Sequence, residues 1–226
     1  MPEVEYSPAL FAWLERHAAN LPYSQYGEDG LLTAIFDRIG VTNRFCCEVG
    51  AADGLFFSNT RRLIEDGWSA LLIEADEKQF ARLAEINRDL QDRVALYNYR
   101  IAPLGAFSLD TLLERAGAPV DLDLLVIDID GQDAYVLNAL SRFRPRVLVI
   151  EYNPFVDPMF MPMLGAETGQ AGLQVTATIA MAREYYPIVR TFCNLICVRR
   201  ELAGVLAEVA ENPKVPEYNR SQVRFE

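Results

Sequence analysis

Apolar positions recur along this chain with two different periods, and the switch between them divides it. Leu31, Leu32, Ile35, Phe36 and Ile39 fall at helical spacing, which predicts a helix over Glu28–Ile39 stopped by Gly40. Upstream, Ser7-Pro8 reads as another helix start, with Leu10, Phe11, Leu14 and Ala18 as its apolar stripe. Beyond residue 41 short apolar runs alternate with helical patterns. Strands are predicted over 45–49, 69–74, 94–99, 123–129 and 146–152. Helices are predicted over 59–66, after an Asp76 cap that Gln79 completes, from Ser108 to Gly117, and over 132–143. The runs at 123–129 and 146–152 are nearly all apolar, as strands covered on both faces are. A helix near 173–184 precedes strands at 188–192 and 195–199, and their separation by Cys193 and Asn194 alone indicates an antiparallel hairpin. A last helix begins near Glu201, with the tail beyond 212 frayed.

That alternation implies an α/β fold: a Rossmann-like three-layer αβα sandwich around a mostly parallel, seven-stranded sheet ending in an antiparallel hairpin, with N-terminal helices. Neither an internal repeat nor a low-complexity linker splits the chain. A single domain over 1–226 is expected, with a helical extension at 1–40, the core at 41–200 and a helix and tail at 201–226.

Composition narrows the partners. The 226 residues are 51% hydrophobic and 23% charged, as in a globular protein. Net charge is −11, from 21 basic and 32 acidic residues, so nucleic acid and membrane surfaces are not expected as partners. Arg61-Arg62 reads as a solvated helix face. The opening Met1-Pro2-Glu3-Val4-Glu5 lacks a signal-peptide layout, no apolar run reaches the ~20 residues of a bilayer span, and a cytoplasmic location is expected. Cys46, Cys47, Cys193 and Cys197 lack paired C-x-x-C spacing and read as buried free thiols.

The chemistry concentrates where strands end. Phe45 to Val49 runs into Gly50-Ala51-Ala52-Asp53-Gly54, and the next strand ends on Glu74. Small residues at such a turn let a ligand approach the backbone, and the second carboxylate can accept both hydrogen bonds of a ribose diol. A dinucleotide fingerprint requires G-x-G-x-x-G, but here Ala52 replaces a glycine, and Glu48 and Asp53 would repel phosphates. A phosphate-free, cationic cofactor fits better, which points to S-adenosylmethionine.

These segments resemble the FkbM-like family of class I S-adenosylmethionine-dependent methyltransferases. The resemblance runs from about Ser24 to Arg200, through Ser24-Gln25-Tyr26-Gly27-Glu28-Asp29-Gly30, Glu48-Val49-Gly50-Ala51-Ala52-Asp53-Gly54, Ser58-Asn59-Thr60 and Leu72-Ile73-Glu74. It continues through Ser108-Leu109-Asp110-Thr111-Leu112-Leu113, Ile127-Asp128-Ile129-Asp130-Gly131, Ile150-Glu151-Tyr152-Asn153 and Asn194-Leu195-Ile196-Cys197-Val198-Arg199-Arg200. It implies O-methylation of a hydroxyl on a small-molecule acceptor such as a sugar or polyketide-like compound. It also implies that Glu48, Gly50 and Gly54, with Ala52 in the same turn, face the methionine part of the donor and that Glu74 holds its ribose. Ser58 and Asn59 then hold the donor's carboxylate or cap the helix they open. Gln25 and Tyr26 cover the donor or form a turn.

A hydroxyl acceptor must lose its proton to a base or to a metal-bound state. The single histidine, His17, lies outside the resembling region and reads as a surface residue. Asp128 and Asp130 are two apart at one strand end, as are Glu151 and Asn153 at the next. If those strands are neighbours, ~4.8 Å apart, the four side chains converge. Three carboxylates and an amide suit a hard cation, Mg²⁺, Mn²⁺ or Ca²⁺. Alternatively Asp130 or Glu151 is a general base, or Asp128 satisfies backbone donors while Asp130 caps the next helix. Asp133 either joins the site or complements a helix dipole.

The 153–169 segment, with Phe155, Met159, Phe160, Met161 and Met163, reads as a lid over the strand ends, a structural loop or a homodimer contact. Tyr185 and Tyr186 read as core more readily than as pocket lining. The rival functions are a non-catalytic S-adenosylmethionine-binding protein and a nicotinamide-dependent oxidoreductase.

Overall fold

The computed structural model describes residues 23–166 and 169–206. The predicted helix around residues 7–18, His17 and the tail beyond 206 lie outside the described residues.

The elements follow the predicted alternation. They run α1 (Glu28–Ile39), β1 (Phe45–Val49), α2 (Arg61–Glu65), β2 (Ser69–Ile73), α3 (Glu77–Ile86), β3 (Val94–Tyr97), α4 (Leu109–Arg115) and β4 (Leu124–Ile127). They continue with α5 (Asp133–Ala139), β5 (Val147–Glu151), α6 (Leu173–Ala182), β6 (Tyr185–Arg190), β7 (Asn194–Arg199) and α7 (Arg200–Ala203). Asp76 and Ser108 cap as predicted, Asp76 accepting from the Lys78 and Gln79 amides and Ser108 from Thr111, but the Asp76 amide expected to meet the Gln79 side chain donates to Glu74 Oε1.

The strands form one seven-stranded sheet in the order β3-β2-β1-β4-β5-β7-β6. Every pairing is parallel except those of β7 with β5 and β6. Alternate strand residues feed two cores. On one face Cys46, Leu72, Val126, Val149 and Ile196 pack under Leu32 and Ile35 of α1, Ile64 of α2 and Leu83 of α3. On the other, Cys47, Leu71, Ile127, Ile150 and Leu195 pack under Leu112 of α4, Leu137 of α5 and Ala180 of α6. Each fully buried Leu or Ile contributes roughly 1.5–3 kcal/mol.

Two boundaries depart from the sequence reading. The helix expected over 132–143 stops at Ala139, because the Asp110 carboxylate captures the amides of Ser141, Arg142 and Phe143. The strand expected at 188–192 begins at Tyr185, so the turn to β7 is Thr191-Phe192-Cys193. Pro187 is tolerated inside it because β6 is an edge strand with an irregular register at Pro187/Val189.

At the amino ends of the strands, Asp123 accepts from the amides of Thr42, Asn43 and Arg44 and from Arg146, 2.7 Å away. Arg146 also caps α1 by donating to the Ile39 and Gly40 carbonyls. This buried knot fixes the closed edge of the sheet; the open, carboxyl edge carries the site.

Candidate functional site

Register aligns the chemistry. Ile73, Val49, Ile127 and Ile150 are level across β2, β1, β4 and β5, and Glu151 is level with Asn194 of β7. One residue further, Glu74, Gly50, Asp128, Glu151 and Asn194 therefore lie on one line across five strands. All belong to the α1–α3 face by strand alternation, with Glu48 two residues below Gly50.

Gly50 opens that line at its centre. Its φ is 81°, and a β-carbon there would lie 1.6 Å from the Asp128 carbonyl oxygen, so only glycine allows the ends of β1 and β4 to approach this closely. Its amide and that of Ala51 donate to the Ile73 carbonyl. Ala52, with φ 46°, points its amide at Glu74 Oε2, 2.8 Å away, and the Asp76 amide occupies Oε1 at 2.7 Å. Glu74 thus joins the turn to the end of β2. Being half-buried, it keeps further oxygen lone pairs for a ligand diol. Gly54, with φ 72°, packs against Leu83 of α3. Asp53 closes a local turn by accepting from Leu55 and Phe56.

Glu48, expected beside the donor's methionine part, directs its oxygens into the protein. They accept from Ser58 Oγ at 2.8 Å, the Asn59 amide at 2.7 Å and Thr60 Oγ1 at 2.5 Å. Burial raises its pKa against those hydrogen bonds. Ser58 also accepts from the amides of Thr60 and Arg61, so it caps the entry to α2. Asn59 is buried and its Oδ1 has no partner.

The second cluster is brought together largely as expected. Asp128, Asp130 and Glu151 offer carboxylate oxygens within 4.8 Å of one another. Asp130 arrives by a turn, not by the pleat: β4 ends at Ile127 and Asp130 has φ 58°. Asp133 holds that turn, accepting from the amides of Ile129 and Gly131 at 2.9 and 3.0 Å. The capping role considered for Asp130 is not taken up: Gln132 holds the cap position of α5, without a side-chain cap hydrogen bond. Asn153 commits its amide oxygen to the Phe155 amide.

Burial, then mutual repulsion, raises this group of acids. Asp128 moves from 3.8 up to about 7 and Glu151 from 4.5 up to about 10, the two hydrogen-bonded together as one proton-sharing pair. Burial also carries Asp133 to about 6. Among the described residues, neither histidine nor cysteine joins these three carboxylates as a potential ligand.

Sequence reasoning missed four participants. Gln170 donates its amide to Glu151 and to Asp130, laying the 153–172 segment across the carboxylates. Gln132 and Tyr135 of α5 hold the same segment through Gly165, Ala166 and Pro162. Glu28 binds Thr191 Oγ1 at 2.6 Å and Asn194 Nδ2 at 3.0 Å, fastening the β6–β7 turn to α1. Only Glu28 had a sequence signal, as an acid among residues that resemble a family motif. Its neighbour Asp29 closes a capping turn with Ser24. Tyr26 then packs on Phe192, and Phe192 on Phe155, with ring centroids 5.3 and 5.5 Å apart.

Tyr185 is buried and donates to the Pro145 carbonyl, a core role. A cavity of about 210 Å³ between α5 and β6 touches none of the candidate site residues. All four cysteines are free and buried. Among the described residues, no helix is long and apolar enough to cross a membrane.

This sheet order, with its antiparallel β7 and helices on both faces, is a Rossmann-like three-layer αβα fold. No family model matches the sequence, and no curated protein matches it. Among solved structures, a methyltransferase from Geobacter sulfurreducens is similar at TM-score 0.49 and 18% identity, over 88% of this chain and 90% of that one. Magnesium protoporphyrin IX methyltransferase from Synechocystis PCC 6803, with bound S-adenosylhomocysteine, gives 0.48 and 14%, over 85% and 95%. A SAM-dependent methyltransferase from Aquifex aeolicus gives 0.43 and 9%, over 74% and 87%. These likenesses concern the fold; the chemistry rests on the site.

Proposed function

We propose that this chain is an FkbM-like methyltransferase that moves the methyl group of S-adenosylmethionine to a hydroxyl of a small acceptor of sugar or polyketide-like kind. The observation that carries the reading is the register line: Glu74 with lone pairs left for a diol, the side-chain-free turn at Gly50, and the paired acids Asp128 and Glu151 beyond it. A donor laid along that line has its ribose at Glu74 and its sulfonium near the acids, whose charge complements it.

Transfer breaks the methyl–sulfur bond as the carbon–oxygen bond forms, leaving a neutral thioether. The acceptor's proton passes to Asp128, whose position beside Glu151 lets the two share it. Positioning supplies much of the acceleration, and the Gln170 amide lies against Glu151 and Asp130. Asp128, Asp130 and Glu151 also suit Mg²⁺ or Mn²⁺, since they offer oxygen alone. Such an ion, when bound, would supply Lewis acidity toward the acceptor oxygen.

Calorimetry with S-adenosylmethionine and S-adenosylhomocysteine tests the reading: absence of binding by both ends it. Turnover of chelator-treated protein with and without added Mg²⁺ or Mn²⁺ decides between base and metal.

A further inference from the structure

The acid cluster has a neighbour that points to the kind of ligand it meets. Asn194 is level with Glu151 on the adjacent strand, so their side chains share one face of the sheet. Its Nδ2 is pinned to Glu28, which fixes the amide's orientation. The side-chain oxygen is left without a partner in a residue only 3% exposed. An orphaned buried acceptor destabilises the fold unless a donor arrives.

Asp130 and Glu151 offer carboxylate oxygens here, and the unpartnered Asn194 oxygen belongs to the residue beside Glu151 on the same face of the sheet. The Gln170 amide donates to Glu151 and Asp130 from the overlying segment. Gln170 thus occupies the place a ligand N–H group would take. On the flank stand Tyr26, Phe192 and the 84% exposed Phe155, whose ring faces attract cations. Acceptors backed by aromatic faces are complementary to an ammonium group.

We propose that the acceptor carries an ammonium group next to the hydroxyl that is methylated, and that Asp130, Glu151 and the Asn194 oxygen receive it. The inference rests on the methyl-transfer reading for the word acceptor, but not for the binding site. Entry of the ammonium displaces the Gln170 amide, so the ligand itself releases the segment from the acids.

The test uses the full chain, free and loaded with S-adenosylhomocysteine, titrated by calorimetry with 2-phenylethylammonium and with 2-phenylethanol. The ammonium is expected to bind at least about tenfold more tightly than the alcohol. Gln170→Ala should strengthen it. Asp130→Asn, at an exposed residue, and Asn194→Leu should each weaken it about fivefold or more, the loss of a charge-assisted or buried hydrogen bond. Because Asn194 also anchors Glu28, thermal melts identify an Asn194→Leu variant that fails to fold, and Asp130→Asn then decides. No ammonium binding, equal affinity for the alcohol, or a preference unaltered in Asp130→Asn overturns the proposal. Displacement of the ammonium by millimolar Mg²⁺ also overturns it, since the cluster is then a metal site. Failure of S-adenosylhomocysteine to bind the same samples removes the methyl-transfer reading and leaves the ammonium result standing on its own.

Discussion

Gly50 and Asp128 touch through their backbones: a β-carbon on Gly50 would stand 1.6 Å from the Asp128 carbonyl oxygen, at φ 81°. Gly50→Ala must therefore push β1 and β4 apart as well as strain the turn. The expected cost is about 2–4 kcal/mol of stability, together with loss of donor binding. Thermal melts and calorimetry on one preparation check both; unchanged donor affinity would show that the Gly50 turn does not meet the donor.

Glu74 offers a more selective probe. Its carboxylate organises the Ala52 turn and is placed to accept the ribose diol. Glu74→Ala removes charge-assisted hydrogen bonds of about 1.5–3 kcal/mol, so donor affinity should fall roughly ten- to a hundredfold. The acceptor-side probes should bind as before.

The paired acids set a pH dependence of opposite sign to that of ordinary salt-bridged carboxylates. Asp128 and Glu151 are raised on folding, to about 7 and about 10, so the folded chain holds protons that the unfolded chain has released. Their contribution is complete below about pH 4 and is lost as pH rises through 7 towards 10. Denaturant melts should show stability declining over that window. Glu151→Gln should flatten the decline, and an unaltered slope would mean the pair does not share a proton.

Arg146 tests the opposite edge of the sheet. Its ion pair with Asp123 is buried and far along the strands from the acids of the site. Arg146→Met should destabilise the protein by about 3–5 kcal/mol, because it strands a buried carboxylate. Turnover per folded molecule should hold, as active-site titration would reveal.

The alternation of elements was legible because buried parallel strands leave long apolar runs, as at 123–129, and because Asp76 and Ser108 are side-chain caps with local signatures. The Asp128, Asp130 and Glu151 cluster was legible for the same reason: residues at adjacent strand ends converge. Long-range capture was not. Nothing near 132–143 signals that Asp110, thirty residues away, ends the helix at Ala139. Pro187 read as a strand boundary, since whether its strand lies at the sheet edge is decided by the whole fold. Gln170 lies in an aperiodic segment, so its contact with Glu151 has no local pattern at all. Glu48 read as a ligand group because its position fixes where it ends, but not that Ser58, Asn59 and Thr60 fold back onto it.

The reversed direction of β7 gives the two halves of the crevice different freedom to change. Glu74, Gly50, Asp128 and Glu151 all stand where parallel strands finish, so shifting one disturbs the common scaffold. Asn194 stands where a strand starts, directly after the three-residue turn Thr191-Phe192-Cys193. Lengthening or re-sequencing that turn can relocate Asn194 and Phe192 while the parallel strands stay in place. Under the methyl-transfer reading, acceptor choice can therefore change without disturbing how the methyl source is held.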